Sequence, residues 1–463
     1  MYSSPRERAE AGRAARAALP RESHAEFDPA GRPDPVDLVT ADSAVRLSDL
    51  LPVRYGRMLA SPLTFYRGAA AVLAADLSRM PSSGLTTQLC GDAHLANFGV
   101  YATPRRRFVF DITDFDETAS GPFEWDVKRL AASFEIAGRV RGDRKKDRRS
   151  YVQACVQEYR ETVRDLANAP TMAVWDVHLD VERTLLPRLK QARRRGKMIT
   201  QEIAARAHTA NLMYPLRELL TSADGVASLT TSTPYVTPIA GMPSTERDSL
   251  FAELEALVAG YAPTLSPQWR HLLGQFRLAD AARKAVGVGA VGTRTFLLLL
   301  DAGDGDDPLL LQARQAEASV LQRYAGAVLD QPDQLDQPGR HGRRVVDGQR
   351  LLQASADGFL GWHPVGERDY YVRQVRDGRY TADVESFTVA GVEIYARMCG
   401  WTLAHVHARA GDRGAIGAYL GGGDAFDQAI TRFATAYADQ TEADFTAFER
   451  ACADGRVSAV PGV

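Results

Sequence analysis

Two short stretches decide the fold: "CGDAHLANFGV" at residues 90–100 and "FDITDFDET" at residues 110–118. Asp92 and Asn97 lie five positions apart after an apolar strand and a Gly, and Asp114 follows between apolar residues. Carboxylate and amide oxygens on neighbouring strand ends suit Mg²⁺, which prefers oxygen ligands. A carboxylate that does not bind the metal can accept a proton from a substrate hydroxyl. Phosphoryl transfer requires this combination of groups.

The surrounding pattern predicts strands on both sides of these polar residues. "TTQLCGD" is typical of a short buried strand, and "RRFVFDITDFD" predicts a hairpin strand in which Phe108, Phe110 and Ile112 alternate. Asp and Asn after a strand often only form turns, which is the structural alternative.

Several acidic residues compete for the metal-binding role. Asp111 and Asp116 are rival ligands, and we favour Asp116, because side chains at 114 and 116 point to the same face of a strand. His94 is assigned a structural hydrogen-bonding role, because no second His lies at helical or hairpin spacing.

The loop "GDAHLAN" resembles the G-D-x-H-x-x-N loop of aminoglycoside and choline kinase-like phosphotransferases, and its D-x-x-x-x-N spacing is that of the protein-kinase catalytic loop. "ITDFD" is similar to their strand with the second metal-binding Asp, and "WDVKRLA" resembles the helix start that follows it. This resemblance implies that Asp92 is the catalytic base and that Asn97 and Asp114 bind Mg²⁺, with Asp116 as a helper.

A second resemblance covers almost the whole chain. It rests on the two opening stretches together with "RYGRM", "SPLTFYRGAA", "GPFEWDVKRLAASF", "VGVGAVGTR", "YYVRQVRD", "CGWTLAHVHARAGD" and "YADQ". By these motifs the chain is identified as a member of an uncharacterised bacterial family, the domain of unknown function numbered twenty-two fifty-two. This family implies no settled activity.

A kinase-like site also needs a glycine-rich hairpin over the phosphates and a cation that anchors them. No such loop precedes the first stretch, but "GVGAVG" supplies Gly287, Gly289 and Gly292, whose backbone N–H groups can approach phosphate closely. A dinucleotide fold would require a following helix, whereas "TRTFLLLL" is strand-like. Arg314 lies where kinases place the phosphate-anchoring Lys.

The neighbours of Arg314 depart from the expected pattern. Glu317 is a candidate partner for Arg314, and the family resemblance implies Lys-Glu where this chain has Arg314-Gln315. Arg is not a neutral replacement for Lys, although it binds phosphate bidentately. Lys284 and Arg294 flank the glycine segment and either assist the phosphates or belong to the hairpin surface.

These observations predict an α+β, protein-kinase-like fold of two lobes that is circularly permuted, with a helix-rich large lobe and a small β-rich lobe. Permutation is tolerated where the original termini lie close together at the surface. The predicted segments are an N-terminal arm over 1–60, a catalytic-loop half with the helical large lobe over 61–280, a small nucleotide lobe over 281–385, and C-terminal helices that complete the large lobe over 386–463.

Local patterns give further expectations. Residues 1 to 50 are predicted to be a loosely ordered lead-in, "PLTFYRGAAAVLAADLSRM" to start extended and become helical, and "DQPDQLDQPGRHGRR" to be a loop. Helices are expected from Trp125 to about residue 280, interrupted by "TTSTPYVTP". Apolar stripes at helical spacing are Val152, Cys155, Val156, Tyr159 and Val163, and later Phe426, Ile430, Phe433 and Tyr437.

The bulk composition narrows the partners. The chain has 463 residues and a net charge of −2, so no general attraction to nucleic acid or anionic membrane is expected. No apolar run reaches the roughly 18 residues of a membrane span, and the N-terminus lacks a secretory pattern. Four scattered Cys without a C-x-x-C pair argue against zinc and favour a cytoplasmic location.

The sequence therefore predicts a cytoplasmic, Mg·ATP-dependent phosphotransferase whose ligands are a nucleotide and an unidentified hydroxyl-bearing acceptor. Three alternatives stay open: a non-catalytic nucleotide-binding module, a nucleotidyl-transferring module, and a metal-dependent hydrolase. The hydrolase would use Asp92, His94, Asp114 and Asp116. Small alcohols, sugars, antibiotics and protein hydroxyls all remain possible acceptors.

Overall fold

The computed structural model describes residues 3–104, 107–177, 179–180, 220–223, 226–231, 236–284, 291–303, 308–324, 339–375 and 380–460. The fold is α+β, as predicted, with antiparallel strand pairs and many helices. Among the helices of these ranges, none combines the length and apolar character that a bilayer crossing requires.

The described helices, in chain order, are α1 Pro5–Ala18, α2 Pro35–Ser43, α3 Leu51–Met58, α4 Pro62–Gly68, α5 Ala70–Leu77, α6 Phe123–Val140, α7 Lys145–Ala167, α8 Thr171–Asp176, α9 Ser244–Tyr261, α10 Pro267–Leu273, α11 Val320–Tyr324, α12 Arg340–Leu352, α13 Val389–Ala410, α14 Arg413–Leu420 and α15 Ala425–Ala453.

The described strands are β1 Thr86–Leu89, β2 Phe98–Ala102, β3 Phe108–Ile112, β4 Ala119–Pro122, β5 Leu179–Asp180, β6 Leu220–Ala223, β7 Val226–Leu229, β8 Val236–Pro238, β9 Arg277–Lys284, β10 Thr295–Asp301, β11 Leu309–Ala316, β12 Gly361–Val365, β13 Arg368–Gln374 and β14 Tyr380–Thr381. In the described part of the chain they form the sheets β12-β13-β11-β10-β9-β8, β14-β2-β3-β5, β1-β4 and β6-β7.

The largest sheet is buried on both faces at its centre, which explains its continuous run of leucines. Side chains alternate between the faces of a strand. Leu298 and Leu300 of β10 pack with helix α9, whereas Leu297 and Leu299 pack with Leu229 on the other face. The strand predicted at "TRTFLLLL" is confirmed by β10, and the segments "PLLLQAR" and "DYYVRQV" lie almost wholly in β11 and β13.

The predicted helical stripes are confirmed as core. All five stripe residues of α7 and all four of α15 are buried. Helix α13 packs along α7 and also contacts β1 and β3, so the last third of the chain lies against the segment that carries Asp92. "TTQLCGD" and "RRFVFDITDFD" form strands β1 and β3 as predicted, but the two do not pair with each other: β1 pairs with β4, and β3 pairs with β2.

The prediction of a loosely ordered lead-in is wrong. Ser4 caps α1 in a reciprocal hydrogen-bonded box with Glu7, and Asp34 caps α2. Helix α1 packs so closely on α14 that a Cβ at Gly12 would lie 2.0 Å from the Ala415 carbonyl oxygen. Buried contacts of this kind stabilise these helices. The polar character of the sequence came from their exposed residues.

Three other local predictions differ from the structure. "PLTFYRG" is helical from Pro62 onward, because Ser61 caps α4 and Pro is favoured in the first turn. The end of the predicted loop "DQPDQLDQPGRHGRR" begins α12, while residues 330–338 lie outside the described residues. The predicted helical region also contains the β6-β7 hairpin.

Candidate functional site

The backbone before Asp92 is held by a buried carboxylate. The N–H groups of Cys90 and Gly91 donate to the two oxygens of Asp126 at 2.8 and 3.1 Å. Gly91 has a φ of 88°, and a Cβ there would lie 1.9 Å from the Glu117 carbonyl oxygen. Only glycine meets both demands, so main-chain contact sets the separation between the Asp92 loop and the loop that follows β3.

Asp92 is paired with an arginine that the sequence analysis did not single out. Its Oδ1 accepts from Arg129 Nε at 2.8 Å and lies 2.5 Å from Arg129 Nη2. Arg129 stacks over the Tyr66 ring at 4.1 Å and donates to the Tyr66 carbonyl oxygen at 3.0 Å. Burial raises the pKa of Asp92, Arg129 opposes that effect, and the charge of Asp114 adds to it.

Asn97 and His94 lie in the same loop as Asp92. Asn97 Nδ2 donates to the Asp92 carbonyl oxygen at 2.8 Å, and this hydrogen bond does not involve the Oδ1 oxygen of Asn97. His94 Nδ1 accepts from the Ala96 N–H at 3.2 Å, and its Nε2 lies 3.5 Å from Asp92 Oδ2. Burial lowers the pKa of His94 well below its ordinary value, so the ring is neutral.

Asp114 and Asp116 meet Arg314 across the cleft. Arg314 Nη1 lies 3.5 Å from Asp114 Oδ2, and its Nη2 pairs with Asp116 Oδ2. Tyr371 on β13 donates its hydroxyl to Asp116 at 2.7 Å. Burial raises the pKa of Asp116, and Arg314 lowers it. The two acids lie beyond the end of β3 rather than within a strand, yet both reach one arginine.

The expected pairing of Arg314 with Glu317 is wrong. β11 extends to Ala316, so strand alternation directs Arg314 and Gln315 to opposite faces. Glu317 instead accepts a hydrogen bond from the Gln315 amide. The rival ligand Asp111 also has another role, because its Oδ2 accepts from the Ala354 N–H at 3.0 Å.

The glycine segment is described only at its end, since Gly287 and Gly289 lie outside the described residues. Gly292 has a φ of 91°, and its carbonyl oxygen accepts from the Leu47 N–H at 2.8 Å. Arg46 Nη1 donates to the Val291 carbonyl oxygen at 3.0 Å. We call residues 42–68 the N-terminal strap, because Arg46 and Leu47 in this segment hydrogen-bond to the end of the glycine segment.

One cleft collects these groups from distant parts of the chain. Asp92, Asp114, Asp116 and Arg314 all line it, whereas the described Gly292 and Asn97 are not among its lining residues. The strap adds residues for which the sequence analysis predicted no role: Asp42, Val45, Arg46, Arg54, Arg67 and Gly68. Arg54, Arg67 and Gly68 lie in the motifs "RYGRM" and "SPLTFYRGAA", whereas Asp42, Val45 and Arg46 lie in neither.

Three predicted metal ligands carry oxygen atoms that could hold a magnesium ion together with a phosphate. Among the residues that the structure describes, no group of three or more His, Cys, Asp or Glu side chains is placed to hold a metal ion. Mg²⁺ is commonly held by one or two carboxylates together with substrate phosphates. The Asn97 Oδ1 oxygen and the Asp114 and Asp116 carboxylates are donors of that kind, and of the three residues Asp114 and Asp116 line the cleft.

The fold and the site define an α+β protein whose cleft is lined by both carboxylate and guanidinium groups. The chain belongs to the family described as "Uncharacterized protein conserved in bacteria (DUF2252)", which matches residues 46–451. The predicted family membership is thereby confirmed. No curated protein and no solved structure matches the chain.

Proposed function

We propose that this protein is a Mg·ATP-dependent phosphotransferase with a circularly permuted, kinase-like fold of two lobes. The observation that carries the proposal is the contact of Arg314 with Asp114 and Asp116. A cation near the end of a small-sheet strand and the acids after a D-x-x-x-x-N loop are the parts that phosphoryl transfer brings together.

The order of the elements supports the permutation. The proposed small lobe, residues 281–385, contains β10, β11 and β13, and the glycine segment connects β9 to β10. After β13 the chain returns to the helices. The Tyr395 hydroxyl of α13 donates to the carbonyl oxygens of Leu95 and Phe98 at 2.6 and 3.1 Å, as expected of a large-lobe helix that supports the catalytic loop.

Each side chain of the cleft has a role in this scheme. Bound Mg·ATP would supply the phosphoryl group. Asp92 accepts the proton of the acceptor hydroxyl as the acceptor oxygen bonds to phosphorus and the bond to the ADP oxygen breaks. Its Oδ2 oxygen is the one not held by Arg129, and a raised pKa suits a general base. Asn97 and Asp114 would hold the metal, and Arg314 would turn from the acids to the phosphates.

Calorimetric titration of ATP tests this proposal, first with Mg²⁺ and then with EDTA. Mg²⁺-dependent binding that is weakened in Asp114→Ala supports it. An acceptor screen read by mass spectrometry then distinguishes phosphoryl from adenylyl transfer. Absence of ATP binding in both buffers would remove the substrate from the scheme, and tight divalent-ion binding without nucleotide would favour a hydrolase.

One observation favours a second candidate, a nucleotide-binding module without catalysis. In active protein kinases the anchoring Lys pairs with a Glu of the following helix. Here Arg314 pairs with Asp114 and Asp116, and no residue of the described helix α12 forms an ion pair with it. This candidate predicts nucleotide binding in the same titration but no product with any acceptor.

A further inference from the structure

Most arginines of the cleft are engaged by the protein itself. Arg314 is paired with two acids, and Arg46 donates to the Val291 carbonyl oxygen. Arg54 donates to the Gly68 carbonyl oxygen at 2.8 Å and lies 3.5 Å from Asp42. These contacts give each of the three side chains a place in the fold before any ligand binds.

Arg67, on the last turn of α4, differs from these arginines. It lines the cleft and is partly buried, yet it forms no hydrogen bond or ion pair with any residue that the structure describes. Its Nε is buried without a partner. Withdrawing a guanidinium from water costs free energy unless an anion hydrogen-bonds to it, so a bound anion would add to the more distant attraction that Asp92 exerts on this side chain.

The backbone on both sides of Arg67 is fixed. The Tyr66 carbonyl oxygen accepts from Arg129, and the Gly68 carbonyl oxygen accepts from Arg54. Because Arg129 also holds Asp92, Arg67 is anchored on the Asp92 side of the cleft. The pKa shifts agree with this placement, since the charge of Arg67 acts on Asp92, whereas Asp116 is influenced by Arg314 and Arg373.

We propose that Arg67 binds an anionic group of the acceptor, so that the acceptor is a small alcohol that also carries a phosphate or a carboxylate. The proposal rests on the proposed function, because it takes Asp92 as the residue that receives the acceptor hydroxyl. The planar guanidinium matches the two oxygens of either anion. The nucleotide phosphates would instead lie toward Arg314, on the other side of Asp92.

The test is a titration of inorganic phosphate, and separately of acetate, into the full-length protein saturated with Mg·ADP. Saturation blocks the nucleotide site, and the two anions distinguish phosphate from carboxylate recognition. We expect Arg67→Gln to raise the Kd of the preferred anion about tenfold or more while the Kd of Mg·ADP is unchanged. The Kd of Arg67→Lys should lie between those of wild type and Arg67→Gln, because Lys keeps the charge but lacks the planar guanidinium that contacts two oxygens. Arg13→Gln, an exposed charge on α1, is the matched control.

Several results would overturn the proposal. An equal anion affinity in Arg67→Gln and wild type, or no anion binding in wild type, removes the site. A weaker Kd for ATP but not for ADP in Arg67→Gln would make Arg67 a ligand of the γ-phosphate. If wild type binds phosphate through Arg67 but binds no nucleotide, the anion site stands, while the acceptor role and the proposed function both fail. Thermal melting of each variant checks folding.

Discussion

The two ends of the cleft hold their acids in different ways. At one end Asp92 is paired with Arg129, which lies on the helix that also fixes the loop backbone through Asp126. At the other end Asp114 and Asp116 are paired with Arg314, which comes from a distant strand. The first pair is local and supported by Tyr66, whereas the second closes the cleft between two separate parts of the chain.

The difference between the two ion pairs predicts which end of the cleft rearranges when a ligand binds. Arg129 is held by Asp92, by the Tyr66 carbonyl oxygen and by the Tyr66 ring, so a ligand has little to gain by displacing it. Arg129 and Arg314 each keep one buried guanidinium nitrogen without a hydrogen-bond partner, but Arg314 is paired with two acids that a metal would compete for. A phosphate-bearing ligand would therefore open the second pair and leave the first intact.

The largest expected effect is on turnover at the Asp92 end. We expect Asp92→Asn to lower turnover by about 10²–10⁴, because the general base is lost, and to leave the Kd of Mg·ATP unchanged. Single-turnover kinetics and calorimetry measure the two quantities. Retained turnover would refute the assignment of Asp92 as the base.

The next effect separates the two arginines. Arg129→Met should lower the free energy of unfolding by about 3–5 kcal/mol, because it removes a buried arginine and leaves the Asp92 carboxylate, which is 19% exposed, without its partner. Arg314→Met should cost only about 1–3 kcal/mol, because Asp114 and Asp116 are 28% and 24% exposed. Denaturant unfolding measures both, with Arg13→Met as the surface control.

The two substitutions should affect nucleotide binding in the opposite order to their effects on stability. Arg314→Met is expected to weaken Mg·ATP binding about tenfold or more, whereas Arg129→Met should change it little in the fraction that is folded. Equal losses of stability together with equal losses of binding would contradict the distinction between a fixed and a movable end.

A smaller effect is expected where the N-terminal strap meets the glycine segment. Ala at position 292 would adopt a strained positive φ, which costs about 1–2 kcal/mol, and its Cβ would lie 2.9 Å from Arg46 Cβ. Gly303→Ala is the matched control, because it has a φ of 97° and no atom within 4 Å of the added Cβ. Gly292→Ala should therefore unfold at lower denaturant than Gly303→Ala.

The last effect concerns the pH dependence of stability at Glu117, which also lines the cleft. Burial raises the pKa of Glu117 from 4.5 to about 7. Between those values the folded protein binds more protons than the unfolded chain, so the free energy of unfolding falls as pH rises. We expect Glu117→Gln to remove about 2–3 kcal/mol of that fall, since one pKa unit corresponds to about 1.4 kcal/mol. Thermal melts from pH 4.5 to 7 test this, and Glu449→Gln, exposed on α15, is the control.

Hydrophobic periodicity predicted the helices and strands whose formation depends on residues close together in the sequence. The alternating residues of β3 and the leucine run of β10 predicted strands, and the α7 and α15 stripes predicted core faces. The ordered packing of the lead-in was missed, because its helices are stabilised by caps and by packing on α14 and α15, which lie at the other end of the chain. Propensity alone does not contain such contacts.

The site was predictable where residue type limits the chemistry. Asp92, Asp114, Asp116 and Arg314 were expected to act together, and the structure brings them to one cleft. Arg129 and Arg67 were missed, because a single Arg in a helical stretch carries no spacing signal and its role depends on which segments fold against it. The pairing of Arg314 with Glu317 was wrong because strand alternation determined its direction.

The strap also has a consequence for the order in which the cleft is completed. Arg46 and its acceptor Val291 are 245 residues apart. At a synthesis rate of about 5–20 residues per second, about 12–50 s separate their emergence from the ribosome. During that interval the strap has left the ribosome but lacks its partner on the glycine segment. The cleft is therefore completed late in translation, only after the glycine segment and then Arg314 have been made.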